Sequence, residues 1–213
     1  MRSLSLSDID FFKVPDIEPT APHYGCDQGW FNTEIQQRSG CGPTTITNIL
    51  WDTGAKHPEL NLNRSPAGKA DLIEFMEDVW QFVTPSKRGI PTTDLLSEPT
   101  LKYARANKLH LSRAVLGVSP EKATRPPWGK IISYLEKALT NDYPIAFLNL
   151  CNGEEAKLDE WHWVTLVALQ YDATNATATV IDNGKLKQSD LSLWYHTTTL
   201  GGGFVYFPTS PTV

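Results

Sequence analysis

The stretch Arg38-Ser39-Gly40-Cys41-Gly42-Pro43-Thr44-Thr45 places a cysteine between two glycines, directly before the apolar positions of a helical pattern. A proline is tolerated in the first turn of a helix, so the stretch predicts a helix that begins at or near Cys41. Unpaired N–H groups and the positive end of the helix dipole stabilise an anion there, and a thiolate is an anion. Cys41 is therefore either a nucleophile or a half-buried structural cysteine, since free cysteines are often buried.

The composition narrows the class of protein. The chain has 213 residues, 40% of them hydrophobic, and a net charge of −5. An acidic balance without a basic run argues against a nucleic-acid partner. We find no apolar segment of signal-peptide or membrane-spanning length, so we expect no membrane association. The three cysteines, Cys26, Cys41 and Cys151, are too few and uneven for a disulfide framework, which predicts a reducing, cytoplasmic location.

Hydrophobic periodicity predicts helices in the first half and strands in the second. The predicted helices cover 41–51, 70–83, 92–107 with an interruption at Pro99, 128–140 and 189–195, and the predicted strands 109–117, 144–151, 161–171, 176–182 and 203–207. Prolines and glycines interrupt residues 1–30, which we interpret as an irregular N-terminal arm before a single domain, 31–213. The fold class is therefore predicted to be α+β, with the helix of Cys41 packed on an antiparallel sheet.

A cysteine nucleophile needs a base, and the base needs an orienting group. Among five histidines, His162 is the candidate because it begins a strong strand directly after a polar loop. The next strand ends at Asp182, whose carboxylate would accept the Nδ1–H of the imidazole; Asn183 is an alternative orienting group, and Asp182 could instead only cap a turn. Counting from the turn at 172–175 places His162 opposite Lys185, a few residues out of register with Asp182.

An acyl-transfer site also needs donors for the oxyanion. The side-chain amide of Gln36 or Gln37, just upstream of Cys41, could serve together with the Cys41 N–H. No Cys/His spacing indicates zinc and no glycine-rich loop indicates a phosphate site, so we expect no metal and no cofactor. The acidic loop 154–160 is interpreted as a solvated surface, or as a selector of basic substrates. Cys26 and Cys151 are expected to be structural.

These motifs, in this order, resemble those of the papain-like cysteine peptidases, and most closely the bacteriocin-processing peptidase-like group. The resemblance rests on residues 36–48 and 161–207, where a glutamine precedes Cys-Gly-Pro-Thr and His-Trp-Val precedes Ile-Asp-Asn. It implies a papain-like fold in which Cys41 is the nucleophile, His162 the base and Asp182 the orienting group. Gln36 or Gln37 would be the oxyanion donor, although the family's glutamine stands further upstream, where this chain has Ile35.

The sequence thus predicts a thiol-dependent hydrolase of peptide or amide bonds, acting on a peptide or protein substrate. The same machinery serves transglutaminase-like acyltransferases, and a papain-like domain can also be a non-catalytic binding module. The substrate and the oligomeric state have no signal in the sequence.

Overall fold

The computed structural model describes residues 1–17, 22–60 and 67–209. Most helices precede most strands, and every pair of strands is antiparallel, which confirms the predicted α+β class. The helices are α1 (Glu34–Ser39), α2 (Cys41–Lys56), α3 (Lys69–Trp80), α4 (Thr93–Ala106), α5 (Trp128–Thr140) and α6 (Leu191–Thr197). The strands are β1 (Arg2–Ser5), β2 (Ala114–Val118), β3 (Ile145–Asn149), β4 (His162–Tyr171), β5 (Ala176–Asp182), β6 (Lys185–Asp190) and β7 (Gly202–Tyr206).

The seven strands form one sheet in the order β2-β7-β3-β4-β5-β6, and β1 pairs with the far end of β4. β4 is the longest strand, and only its first part pairs with β3, which leaves room for β1 beside residues 168–171. Asn149 at the end of β3 lies opposite His162, and Gly202 lies opposite Asn149. The start of β4 therefore sits at the edge of the sheet where β3 ends and β7 begins.

Helix α2 packs against β4, and a buried asparagine fixes this contact. Asn48 donates from Nδ2 to the Thr165 hydroxyl at 3.2 Å and accepts at Oδ1 from the Cys26 N–H at 2.8 Å. The helix was predicted to end at Trp51 but continues through Gly54 to Lys56. Its last turn carries an Asp52–Lys56 ion pair across one helical turn.

The N-terminal residues are more ordered than the predicted irregular arm. Arg2–Ser5 forms β1, and Phe12 and Cys26 belong to the same hydrophobic core as the sheet. A strand of four residues is too short to show a clear alternation in the sequence, because its pairing is set by the exposed edge of β4. The arm is therefore part of the core around which α2 and β4 pack.

Three further boundaries differ from the predictions. Helix α4 starts after a Thr92 cap, as the predicted stretch 92–107 does, but it runs through Pro99 without the predicted interruption. Strand β2 begins at Ala114 rather than near 109. β6 was not predicted as a strand, and the following helix begins at Leu191 with Asp190 as its cap, not Ser189.

A helix must be long and apolar to span a membrane, and these two properties can be read for each described helix. None is both long enough and apolar enough to cross a bilayer.

Candidate active site

Cys41 is the first residue of α2, and tight packing explains the glycines on both sides of it. A Cβ at Gly40 would lie 2.5 Å from the Gln36 carbonyl oxygen and 2.5 Å from the Phe31 ring. A Cβ at Gly42 would lie 2.7 Å from the Ile90 side chain. The two glycines let the chain turn from α1 into α2 at close quarters, so that the half-buried Cys41 thiol stands at the helix start.

The structure brings the predicted base and acid together. His162 Nε2 lies 2.8 Å from Asp182 Oδ1, and both side chains are buried. The Cys41 thiol is close enough to the His162 ring to raise its pKa. Asp182 reaches the His162 ring from the neighbouring strand and contacts Nε2, not Nδ1 as predicted. Nδ1 is then the ring nitrogen left for the Cys41 thiol.

A β-bulge determines which face of the sheet Asp182 occupies. The pairing of β4 with β5 shifts by one residue between Leu166 and Ala168. Without that shift Asp182 would lie opposite Thr165 and project from the face opposite to His162. With it, the register continues to Val164, so His162 and Asp182 share a face one diagonal step apart.

Burial disfavours the charged forms of His162 and Asp182, and their hydrogen bonds favour them. Burial of the ring lowers the pKa of His162, but the hydrogen bonds to Asp182 and Cys41, with their charges, outweigh burial and raise it to about 10. Burial raises the pKa of Asp182, but His162 and then Lys187 outweigh this and hold it below its ordinary value. At neutral pH the imidazolium and the carboxylate are therefore both charged.

Lys187 is a member of the site that the sequence interpretation missed. Its Nζ lies 2.5 Å from Asp182 Oδ2, the oxygen that does not face His162. The signal was present in Asn183-Gly184, because Asn-Gly after a strand is the strongest short hairpin signal. Both residues have positive φ (44° and 75°), and they form the two-residue turn between Asp182 and Lys185.

Asn183, the alternative orienting residue, is used elsewhere. Its Oδ1 accepts a 3.4 Å hydrogen bond from the Gln28 backbone N–H. The contact with the His162 ring is made by Asp182. The structure thus favours Asp182 over Asn183 in this position.

The side-chain amides of Gln36 and Gln37 are engaged in structural hydrogen bonds. The Gln36 Oε1 accepts from the Thr33 N–H and hydroxyl in a capping box at the start of α1, and its Nε2 donates to Glu77 at 2.6 Å. Gln37 Nε2 donates to the Phe31 carbonyl at 2.8 Å. Spacing along the chain pointed to these two residues, but the cap of a short helix explains why a glutamine stands at position 36.

A third glutamine lies between the two halves of the site. Gln28 Nε2 donates to the Gln37 carbonyl, one helical turn before Cys41, at 2.9 Å, and its backbone N–H points at Asn183. Its Oε1 is buried without a hydrogen-bond partner among the described residues. Gln28 therefore links the segment just before Cys41 with the turn that follows Asp182.

The remaining cysteines and acidic residues have separable roles. Cys26 is buried, and burial raises the pKa of its thiol. Cys151 is half-buried, and the Thr199 hydroxyl at 3.2 Å lowers the pKa of its thiol. In the acidic loop, Glu155 is buried and accepts the backbone N–H of Asp190, so it is structural rather than solvated as predicted.

One group of side chains in the described part of the chain has atoms close enough to hold a metal ion. Ligand atoms of Asp159, His162 and Asp182 lie within 4.8 Å of one another. His162 and Asp182 already hydrogen-bond each other, so a cation here would have to displace the His–Asp contact. These residues therefore fit an acid–base pair better than a metal centre.

Known proteins do not assign the chain to a family. It matches no family model, and no curated protein is significantly similar to it. What the site can do follows from its own geometry.

Proposed function

We propose that the chain is a thiol-dependent hydrolase of peptide or amide bonds, with Cys41 as nucleophile, His162 as acid and base, and Asp182 as the orienting group. The observation that carries the proposal is the 2.8 Å contact between His162 Nε2 and the buried Asp182, on a ring whose pKa is also raised by the Cys41 thiol at the start of α2. A papain-like fold is part of the same proposal. It is supported by the motif resemblance and by the packing of the nucleophile helix on an antiparallel sheet.

The reaction would follow from the charge state of the pair. A Cys41 thiolate attacks the carbonyl carbon of the substrate, and the negative charge moves to the carbonyl oxygen. The imidazolium of His162 gives its Nδ1 proton to the departing amine, which leaves a thioester on Cys41 and a neutral imidazole. The imidazole then takes a proton from a water molecule, whose oxygen attacks the thioester and releases the carboxylic acid.

The oxyanion needs donors that are fixed before the reaction. The N–H groups in the first turn of α2 have no partner within the helix, so the Cys41 N–H is available. We propose Gln28 as the side-chain donor, because its Nε2 is held at the Gln37 carbonyl, four residues before Cys41, and its buried Oε1 has no partner among the described residues. Gln28→Ala is expected to slow acylation about 100-fold, and Gln37→Ala to have little effect. Equal effects of the two substitutions would contradict this choice.

The thioester gives a direct test of the reaction class. Mixing the protein with p-nitrophenyl acetate is expected to release a burst of p-nitrophenolate stoichiometric with the protein, together with an acetylated Cys41 detectable by mass spectrometry. Cys41→Ala should abolish the burst, and Cys151→Ala, a matched removal of the other half-buried thiol, should preserve it. No acylation of Cys41 in the wild type would favour a non-catalytic binding domain, and a burst that survives in Cys41→Ala would contradict Cys41 as the nucleophile.

The same experiment separates a hydrolase from an acyltransferase. In a hydrolase, water resolves the thioester and acetate accumulates even when a primary amine is present in excess. In a transglutaminase-like acyltransferase, the amine takes the acyl group and an acetamide forms instead. We expect acetate to be the main product.

A further inference from the structure

We propose that Lys187 is a positioning residue of this site, whose ammonium group keeps Asp182 charged and turned toward His162. The inference rests on the proposed function, because it concerns the same three side chains. It adds a fourth member that acts only through Asp182, since the ammonium contacts the carboxylate and not the reacting atoms.

The two oxygens of the Asp182 carboxylate have different cationic partners. Oδ1 accepts from His162 at 2.8 Å, and Oδ2 accepts from Lys187 at 2.5 Å. A rotation of the carboxylate would break both contacts at once. The lysine therefore holds the carboxylate in the one orientation that presents Oδ1 to the ring.

The β5–β6 hairpin supplies this lysine. Lys187 lies opposite Val180, two residues before Asp182 on the same face of β5. The turn of Asn183 and Gly184 fixes that register, because a two-residue loop leaves no slack between the strands. Gly184 is held in turn by the arm, whose Tyr24 N–H donates to its carbonyl at 2.8 Å.

Burial separates this contact from an ordinary surface ion pair. The Asp182 side chain is 4% exposed and that of Lys187 is 34% exposed. Exposed pairs contribute little to stability, but a buried carboxylate without partners would take up a proton. The charged and titratable groups facing Asp182 are His162 from β4, Lys187 and the exposed Lys185 from β6, and Asp159 from the loop before β4, while the His23 ring lies against the Gly184 turn.

Lys187 has a matched control on its own strand. Lys185 lies directly opposite Asp182, on the same face of β6 as Lys187. It is exposed and forms no ion pair with a described residue. Lys185→Met and Lys187→Met remove the same charge at neighbouring positions of the same face. Only the second removes the contact with Oδ2.

The test follows the charge state of Asp182 by two measurements. The pH profile of the p-nitrophenyl acetate burst is recorded for the wild type, Lys185→Met, Lys187→Met and Lys187→Arg. In a Cys41→Ala background, which has no acylation, ¹⁵N NMR of the His162 ring is titrated with and without Lys187→Met. We expect Lys187→Met to move the acid limb of the burst, and the acid inflection of the His162 signal, upward by about one to two pH units. Lys185→Met should move neither, and Lys187→Arg should restore both.

The outcomes distinguish this inference from the proposed function. If His162→Ala and Asp182→Asn abolish the burst but Lys187→Met leaves both pH inflections unchanged, Lys187 has no positioning role. If His162→Ala and Asp182→Asn themselves leave the burst intact, the proposed function fails and the role of Lys187 fails with it. Should Lys187→Met not fold, Lys187→Gln and Lys187→Arg carry the same comparison.

Discussion

Two aspartates of this chain are buried beside a lysine, yet they differ in their tendency to be charged. The pKa of Asp182 lies below its ordinary value because His162 and Lys187 outweigh the effect of burial. The Asp52 side chain is 0% exposed, and burial raises its pKa to about 6 against the opposing charge of Lys56. Burial alone therefore does not decide the charge of a carboxylate in this protein.

The two lysines are engaged differently. Lys56 Nζ lies 2.9 Å from Asp52 Oδ2 but also 3.0 Å from Asp142, so one ammonium serves two carboxylates. The Asp52 contact meets the distance of an ion pair but not the direction of a hydrogen bond, and both its oxygens lack hydrogen-bond partners among the described residues. The comparison shows that the charged partners of a buried aspartate, and not burial alone, set the direction of its pKa shift.

The largest expected difference between the two aspartates is in reactivity. Asp182→Asn should slow acylation of Cys41 by p-nitrophenyl acetate at least ~100-fold, because the amide cannot hold an imidazolium as the carboxylate does. Asp52→Asn should leave the rate unchanged. Stopped-flow measurement of the burst checks both variants, and equal rates in the two would remove the distinction.

The second expected difference is in stability as a function of pH. The pKa of Asp52 is raised from 3.8 to about 6 in the folded protein. Its contribution to the free energy of unfolding is therefore complete below pH 3.8 and is lost as the pH rises through 6. Asp52→Asn is therefore expected to flatten that fall and to gain up to about 3 kcal/mol at pH 8 relative to the wild type. Urea unfolding between pH 4 and 8 measures this.

Asp182 should show the opposite slope in the same series. The pKa of Asp182 is lowered on folding. Its contribution to the free energy of unfolding is therefore present above the pKa of the unfolded state and is lost as the pH falls through the pKa of the folded state. Asp182→Asn should destabilise the protein at pH 7 by about 3–5 kcal/mol, because it leaves charges of His162 and Lys187 without their partner. A stabilising Asp182→Asn would contradict the assignment of charge.

A smaller effect is expected from the turn that places Lys187. Gly184 has φ +75°, and a Cβ there would lie 2.0 Å from the His23 ring. Gly184→Ala is expected to cost about 1–3 kcal/mol and to slow the burst. Gly117→Ala is the control, since a Cβ at Gly117 meets no atom within 4 Å. Thermal unfolding compares the two, and an equal loss of stability would argue against the turn as the source of register.

The components of the candidate site were largely readable in the sequence because residue type carries their chemistry. A Cys between glycines at a helix start, a His at a strand start and an Asp at the next strand end are local signals, and the structure brings Cys41, His162 and Asp182 together. The α+β class and the exact bounds of α5 and β5 followed from periodicity in the same way.

What the sequence did not reveal depends on register and on competing contacts. The bulge near Val167 decides the face of Asp182, and no residue type announces it. Gln36 stood at a plausible spacing before Cys41, but its side chain belongs to the capping box of α1. Gln28 is more distant in sequence and contacts the Gln37 carbonyl. Strand β6, with Lys187, was missed although the Asn183-Gly184 signal was available.

The most direct test of the central claim is the alkylation of each cysteine by iodoacetamide across pH 5–9, resolved by mass spectrometry. If His162 holds Cys41 as a thiolate, Cys41 is expected to react rapidly at pH 6, and His162→Ala should slow that reaction at least ~10-fold. Cys26, which is buried, should stay unmodified in both proteins and reports that the fold is intact. A Cys41 rate that is the same in the wild type and in His162→Ala would contradict an activated thiol.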